Sequence, residues 1–206
     1  MAALEKVSFS YGEKEVLREV TLRLPAQGVV CLYGASGGGK TTLLRLLAGL
    51  EKPAAGRVTG TADKKIAMVF QEDRLLPWLS AADNVAAALR GEDARARAVQ
   101  ALEEVGLAAS ADERPAALSG GMRRRVAIAR ALAFEGDILL LDEPFNGLDE
   151  KLWRPLAQHI AARYADRLTV LVTHVQEHAQ AMGAAFVPMP PLPVAGELRI
   201  VQKICE

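Results

Sequence analysis

Residues 29–44, VVCLYGASGGGKTTLL, constrain the fold of this chain more than any other stretch. They open on the apolar run Val29, Val30, Cys31, Leu32, Tyr33, which reads as a buried strand. They lead into Leu43, Leu44, Leu46, Leu47 and Leu50, whose spacing predicts a buried helix with Gly49 near its end. Between the two stands Gly34-Ala-Ser-Gly-Gly-Gly39-Lys40-Thr41, the spacing G-x-x-x-x-G-K-[ST]. Glycines this dense allow positive φ and a tight loop whose N–H groups turn inward on an anion. The following helix adds the positive end of its dipole at the same place. Lys40 then reaches the outer phosphates of a nucleotide, and the Thr41 hydroxyl is placed to ligate Mg²⁺. An ordinary glycine-rich turn before a helix has no use for Lys-Thr at that position. Strand, loop, Lys-Thr and helix in this order predict a nucleoside-triphosphate site.

At 206 residues the chain has length for one domain over residues 1–206 with a full core and an inserted segment. Lys plus Arg and Asp plus Glu both number 25, so no net field favours nucleic acid or an anionic membrane. Nucleic acid is therefore not an expected partner. Two cysteines, Cys31 and Cys205, suggest no disulfide framework. The start, MAALEKVSFSYGEKEV, lacks the apolar core of a secretory signal, and a cytosolic chain is expected. The 19 residues between Glu177 and Glu197 carry no Lys, Arg, Asp or Glu. Pro188, Pro190, Pro191 and Pro193 break any spanning helix there, so the reading is a strand followed by a rigid extended loop.

Before the loop, Val7, Phe9, Tyr11 and then Val20, Leu22, Leu24 form two short strand-like runs about Gly12. Tyr11 is either a half-buried strand aromatic or a π-face for an adenine ring. Ile66 to Phe70 form a further buried run ending in Gln71. That Gln is a boundary residue or, beside a nucleotide, a group that touches Mg²⁺ or orients the attacking water. Residues 72–135 are rich in Ala and poor in strand formers, with Ser80 as an N-cap, and read as a mostly helical insertion. Within it, Leu118-Ser119-Gly120-Gly121-Met122 precedes a helix carrying Arg123, Arg124, Arg125 and Arg130. With zero net charge, these arginines read as a solvated helix face, the other reading being a nucleic-acid patch.

Ile138-Leu-Leu-Leu141-Asp142-Glu143-Pro144 is an apolar strand ending in two acids. Beside a phosphate loop that pattern serves Mg²⁺ and water activation. Asn146-Gly-Leu-Asp149 forms a turn, a helix follows, and the strand 168–173 ends at His174, a structural or a functional histidine. Buried strands alternating with helices predict an α/β fold with a largely parallel sheet. Ligands gather at strand carboxyl ends in such sheets, which would bring loop, Gln71, the acids and His174 to one edge.

In order, Tyr11, GASGGGKTT, Gln71, LSGGM, ILLLDEP, NGLD and His174 resemble the nucleotide-binding domain of ABC transporters. The likeness runs over about residues 4–180. The discriminating element is LSGG, which phosphate-loop kinases and GTPases do not carry ahead of such an acidic strand. The resemblance implies a P-loop NTPase core with an N-terminal antiparallel β portion and an inserted helical subdomain at 72–135. It further implies that Tyr11 stacks on adenine and that Gly34, Ala35, Ser36, Gly37, Gly38, Gly39 and Lys40 wrap the phosphates of ATP. Thr41 sits on Mg²⁺, Thr42 near the α-phosphate, and Gln71 reports the γ-phosphate to the transport partner. Asp142 supports Mg²⁺, Glu143 polarises the attacking water and His174 holds the γ-phosphate. Ser119 and Gly121 act in trans on ATP held by a second copy, with Asp149 at the seam of a two-fold dimer.

Residues 70–79, FQEDRLLPWL, also resemble importers of nitrate, sulfonates, taurine or thiamine precursors. The expectation is an ATP-hydrolysing importer subunit, peripheral on the inner face of the cell membrane, with a permease helix docked on residues 75–79. The other reading is a soluble ABC-type ATPase that drives a protein or nucleic-acid machine. A DNA-repair version would need a long coiled coil, for which the insertion has no room. The apolar Leu75-Leu76-Pro77-Trp78 cluster favours a protein partner. Two departures from the family pattern stand out: Met122 in place of a Gln, and Val175 after His174 where an Asp is usual.

Overall fold

A computed structural model describes residues 1–202, so Cys205 lies outside the described residues. The chain opens with a hairpin of β1 (Ala3–Tyr11) and β2 (Lys14–Arg23), turning at Gly12 with φ 57°. β3 (Gly28–Tyr33) then runs through the glycine loop into α1 (Lys40–Leu47). β4 (Ala55–Thr59) and β5 (Ile66–Val69) follow. Next come α2 (Ala81–Ala86), α3 (Ala94–Glu104), a 3₁₀ turn and α4 (Gly120–Phe134), with no strand between β5 and β6. The remainder is β6 (Ile138–Asp142), α5 (Glu150–Arg163), β7 (Leu168–Thr173), α6 (Gln176–Ala181), β8 (Ala185–Pro188) and β9 (Val194–Glu197).

Five strands form one sheet in the order β5-β6-β7-β3-β8, every neighbouring pair parallel. A parallel sheet is covered on both faces, and its strands read as continuous apolar runs. The period of two sorts them. Val30, Leu32, Leu140, Val170 and Val172 face α1 and the sheet β4-β1-β2-β9, while Cys31, Leu139, Leu141 and Leu171 face the helices α2 to α6. The α/β class with a parallel core and an antiparallel N-terminal portion is as expected. The four leucines of α1, at 43, 44, 46 and 47, are buried, each worth about 1.5–3 kcal/mol.

Two local readings need correction. Leu50 is not part of the buried helix: α1 stops at Leu47, and Leu50 lies past the turn at Gly49, 55% exposed. The proline-rich stretch is not only a loop. After β8 and the bend at residues 189–193, β9 returns as a parallel partner of β2, with Leu17 paired to Val194. Pro188 ends β8, and Pro190, Pro191 and Pro193 fall between the two strands, where no ladder N–H is needed. Among the described residues no helix is long and apolar enough to cross a membrane.

Candidate active site

Because all five strands of the parallel sheet point the same way, the segments leaving β3, β5, β6 and β7 share one edge. A cleft of about 330 Å³ opens there. Residues 36–42 line it together with Tyr11, Lys14, Val16, Arg45, Gln71, Asp142, Glu143, Val172 and Leu192. Gly37 and Gly39 adopt φ 77° and 78°, and a side chain at Gly39 would press on Val16 at 3.2 Å. The loop is therefore built on glycine for both conformation and space. Gly34 and Ala35 enter through their carbonyls: Lys40 Nζ donates to Gly34 O at 2.9 Å and Ala35 O at 2.6 Å. Burial pushes the Lys40 ammonium down, with Glu143 and Asp142 pulling it back up.

Thr41 Oγ1 donates to Asp142 Oδ1 at 3.2 Å, joining the start of α1 to the end of β6. Asp142 is buried, and its carboxyl is raised above the usual carboxylate range mainly by loss of solvent, against the Thr41 bond that lowers it. Glu143 follows in the left-handed region at φ 49°. That conformation costs a non-glycine residue about 1–3 kcal/mol and persists only where neighbours hold it. Its N–H donates to Val172 O at 2.9 Å. His174 Nδ1 lies 3.0 Å from Glu143 Oε1 and donates to that carboxylate. The second oxygen, Oε2, is buried without a hydrogen-bond partner among the described residues.

Tyr11 is 43% exposed at the cleft and braced edge-on by Phe9, with ring centroids 4.8 Å apart. His174 meets the site through Glu143 rather than by lining the cleft. Its loop, lacking the usual Asp, is held by Thr173: Oγ1 accepts from Val175 N at 3.1 Å and lies 3.3 Å from His178 Nδ1. Ser119, Gly121 and Asp149 do not line this chain's own cleft. Ser119 Oγ caps α4 by accepting from Met122 N at 3.2 Å, and Asp149 Oδ1 caps α5 by accepting from Leu152 N at 3.2 Å. Gly121 packs against the turn at Gly147 and Leu148.

The arginines of α4 are not a solvated face. Arg124 is 4% exposed and donates to backbone carbonyls beyond both β5 and β6. Arg130 donates to Asp73 O and Arg74 O, and Arg125 to Val105 O. Arg124 shares a helical stripe with buried Ile128, Ala131 and Leu132, a signal for the interior that half-buried Arg125 shares through Ala129, Leu132 and Ala133. No comparable signal marks Leu192, which reaches the cleft from a strand connection 150 residues beyond the glycine loop.

Residues 76–80 are shaped by buried Asn84. It accepts from Leu76 N at 2.7 Å and donates to Leu76 O, Leu79 O and Ser80 O at 3.0–3.2 Å. Trp78 stays 65% exposed beside exposed Leu76 and Pro77, so it does not serve to pack the helices on the core. Asn84→Ala removes the partners of Leu76 N and Leu79 O and one of two at Leu76 O and Ser80 O, and is expected to cost about 1–3 kcal/mol. Urea denaturation of the two proteins measures it, and a midpoint equal to wild type would show that Asn84 does not organise the loop.

Residues 17–146 match the family model described as ABC transporter. The chain belongs to the ABC transporter family. It is an ATP-binding and ATP-hydrolysing subunit of that family, as the motifs led one to expect. The cassette is 46% identical over 188 residues to the aliphatic sulfonates import ATP-binding protein SsuB 2 of Pseudomonas aeruginosa, covering 87% of this chain and 68% of that protein. It is 42% identical over 180 residues to the SsuB 1 protein of Paracoccus denitrificans, covering 86% and 74%. Among solved structures, the dimeric post-hydrolysis state of the ATP-binding cassette MJ0796, bound to ADP and Pi, matches with TM-score 0.85 at 30% identity. That match covers 99% of this cassette and 100% of the other.

Proposed function

We infer that this chain is the ATPase subunit of an importer, working as a pair of cassettes beneath a membrane permease on the cytoplasmic face. The observation that carries this reading is the meeting of Lys40, Thr41, Gln71, Asp142 and Glu143 around one cleft. The names of the relatives support import, and the dimeric MJ0796 cassette supports a pair. Residues 72–135 serve as a helical insertion that carries Ser119 and Gly121.

In this reading Tyr11 takes the adenine ring, and residues 34–40 and Thr42 take the phosphates. The adjacent oxygens of Thr41 and Asp142 fit Mg²⁺, a hard cation that takes one or two protein oxygens and completes its shell with phosphate and water. When bound, the ion neutralises charge on the phosphate oxygens. Gln71 orients the water. The Glu143 carboxylate takes the proton of that water as its oxygen attacks the γ-phosphorus, and the bond to the ADP oxygen breaks. Lys40 and the loop N–H groups hold the charge left on ADP. His174 fixes the Glu143 carboxylate and is assigned to hold the γ-phosphate. Ser119, Gly121 and Asp149, turned away from their own cleft, act on ATP held by the second cassette.

Residues 75–79 form the docking surface for a cytoplasmic helix of the permease. Exposed Trp78 and Leu76 supply an apolar contact, and large aromatic groups dominate binding energy at such contacts. Gln71, a few residues upstream and in the cleft, links that surface to the γ-phosphate. Trp78→Ala is expected to fold and bind ATP normally while losing complex formation, with a cost of about 2 kcal/mol or more. Co-purification with the permease and transport in vesicles measure the effect. Wild-type assembly by the variant, or its unfolding, overturns the docking role.

A further inference from the structure

The geometry points to Arg124 as a positioning residue that sets Gln71 and Glu143 relative to each other and to the Ser119 end of α4. This inference rests on the reading of Glu143 given above. The guanidinium is buried and engaged on every nitrogen. Nη1 donates to Phe70 O at 2.6 Å, to Gln71 O at 3.2 Å and to Asp73 Oδ1 at 3.3 Å. Nη2 donates to Asp142 O at 2.9 Å and to Glu143 O, and Nε to Pro144 O at 3.0 Å. Five main-chain carbonyls from two separate loops thus converge on one side chain.

Their chemistry explains the choice of residue. Asp142 is the last ladder residue of β6, and the carbonyls of Phe70, Gln71, Glu143 and Pro144 lie beyond the ladders of β5 and β6 and need donors. A guanidinium offers five N–H groups in a fixed plane, enough to serve both loops at once. A lysine ammonium has three donors on a single atom and reaches one loop only.

The placement also answers a backbone question. Glu143 is left-handed, a conformation that persists where surrounding contacts over-determine it. Arg124 holds the carbonyls of Asp142, Glu143 and Pro144, before, at and after that residue. It holds the Gln71 carbonyl from the same centre. Arg124 lies in the second turn of α4, whose cap is Ser119, and Gly121 of the first turn packs on Gly147 and Leu148. The helix start and both cleft loops therefore move as one body. Displacement of the Ser119 end is transmitted to the Glu143 backbone through this guanidinium.

Steady-state ATPase rates, MgATP affinity by fluorescent-nucleotide titration and thermal melting, on the full chain, test this with Arg124→Gln, Arg124→Lys and Glu143→Gln. Arg124→Gln is expected to lower kcat about 10²-fold, as a displaced catalytic group does. KM and MgATP affinity should stay within about threefold, because the phosphate loop is untouched. Arg124→Lys should recover part of kcat by holding one of the two loops. A kcat for Arg124→Gln within about threefold of wild type, or a loss carried by KM alone, overturns the proposal. If both Arg124 variants are unfolded at the assay temperature, Arg124 is a folding residue and the proposal is likewise wrong. Glu143→Gln separates the two levels. If it keeps the wild-type rate, the reading of Glu143 itself fails; if it is slow while Arg124→Gln is fast, only the positioning role fails.

Discussion

Glu143→Gln is expected to slow ATP hydrolysis by about 10²–10⁴-fold, the usual worth of a positioned general base. The substitution keeps the shape of the side chain and the His174 contact, which a Gln carbonyl accepts as well as a carboxylate oxygen. It removes the basicity of the carboxylate that lines the cleft. It also removes a negative charge from beside the γ-phosphate site, so ATP should be held longer. Under the proposed pairing of cassettes, the ATP-bound dimer should then accumulate. Single-turnover hydrolysis and gel filtration in MgATP, wild type and variant side by side, measure both effects. A variant that hydrolyses within a few-fold of wild type removes Glu143 from the mechanism. One that is slow yet stays monomeric at high concentration removes the ATP sandwich.

Lys40→Ala is expected to weaken MgATP binding by about 4 kcal/mol, the Coulomb energy of unit charges 4 Å apart at an effective dielectric of 20. That corresponds to roughly a thousandfold in Kd. The fold should survive, because Lys40 is the first residue of α1 and Ala is the best helix former. The ammonium sits on the carbonyls of Gly34 and Ala35, so its loss also leaves the loop less tightly closed. Burial disfavours its charged form, the Glu143 and Asp142 carboxylates offset this in part, and an arriving phosphate adds further counter-charge. Isothermal titration at fixed ionic strength gives the comparison. An affinity near wild type would mean that the loop N–H groups alone carry the phosphates.

The parts of the site that were legible in advance are those whose chemistry is contiguous. The glycine loop is one such part, since positive φ, N–H convergence and the Lys-Thr pair are all specified within eight residues. The acids at the end of β6 are another, because an apolar run of strand length terminates at Asp142. Leu50 was misplaced for a local reason: the leucine spacing continues past Leu47, but the positive φ of Gly49 stops the helix first. The arginines of α4 were misplaced for a different one. A run of three identical side chains carries no periodicity of its own, and the buried residues that follow line the Arg124 and Arg125 stripes alike, so only the tertiary contacts select Arg124 for the interior.

What the sequence determined alone is the phosphate-binding loop, the helix behind it and the alternation of buried strands with helices. These depend on residues within a turn or two of one another. The sheet order β5-β6-β7-β3-β8 was decided by tertiary structure, and with it the meeting of Gln71, Asp142, Glu143 and His174 beside a loop more than 30 residues upstream of the first of them. So were the return of β9 along β2, which brings Leu192 to the cleft, and the burial of Arg124 among carbonyls of two loops. The reason is that a strand's neighbour is chosen by which apolar faces close the core together. That choice is made by the whole chain and leaves no mark at any one of its residues.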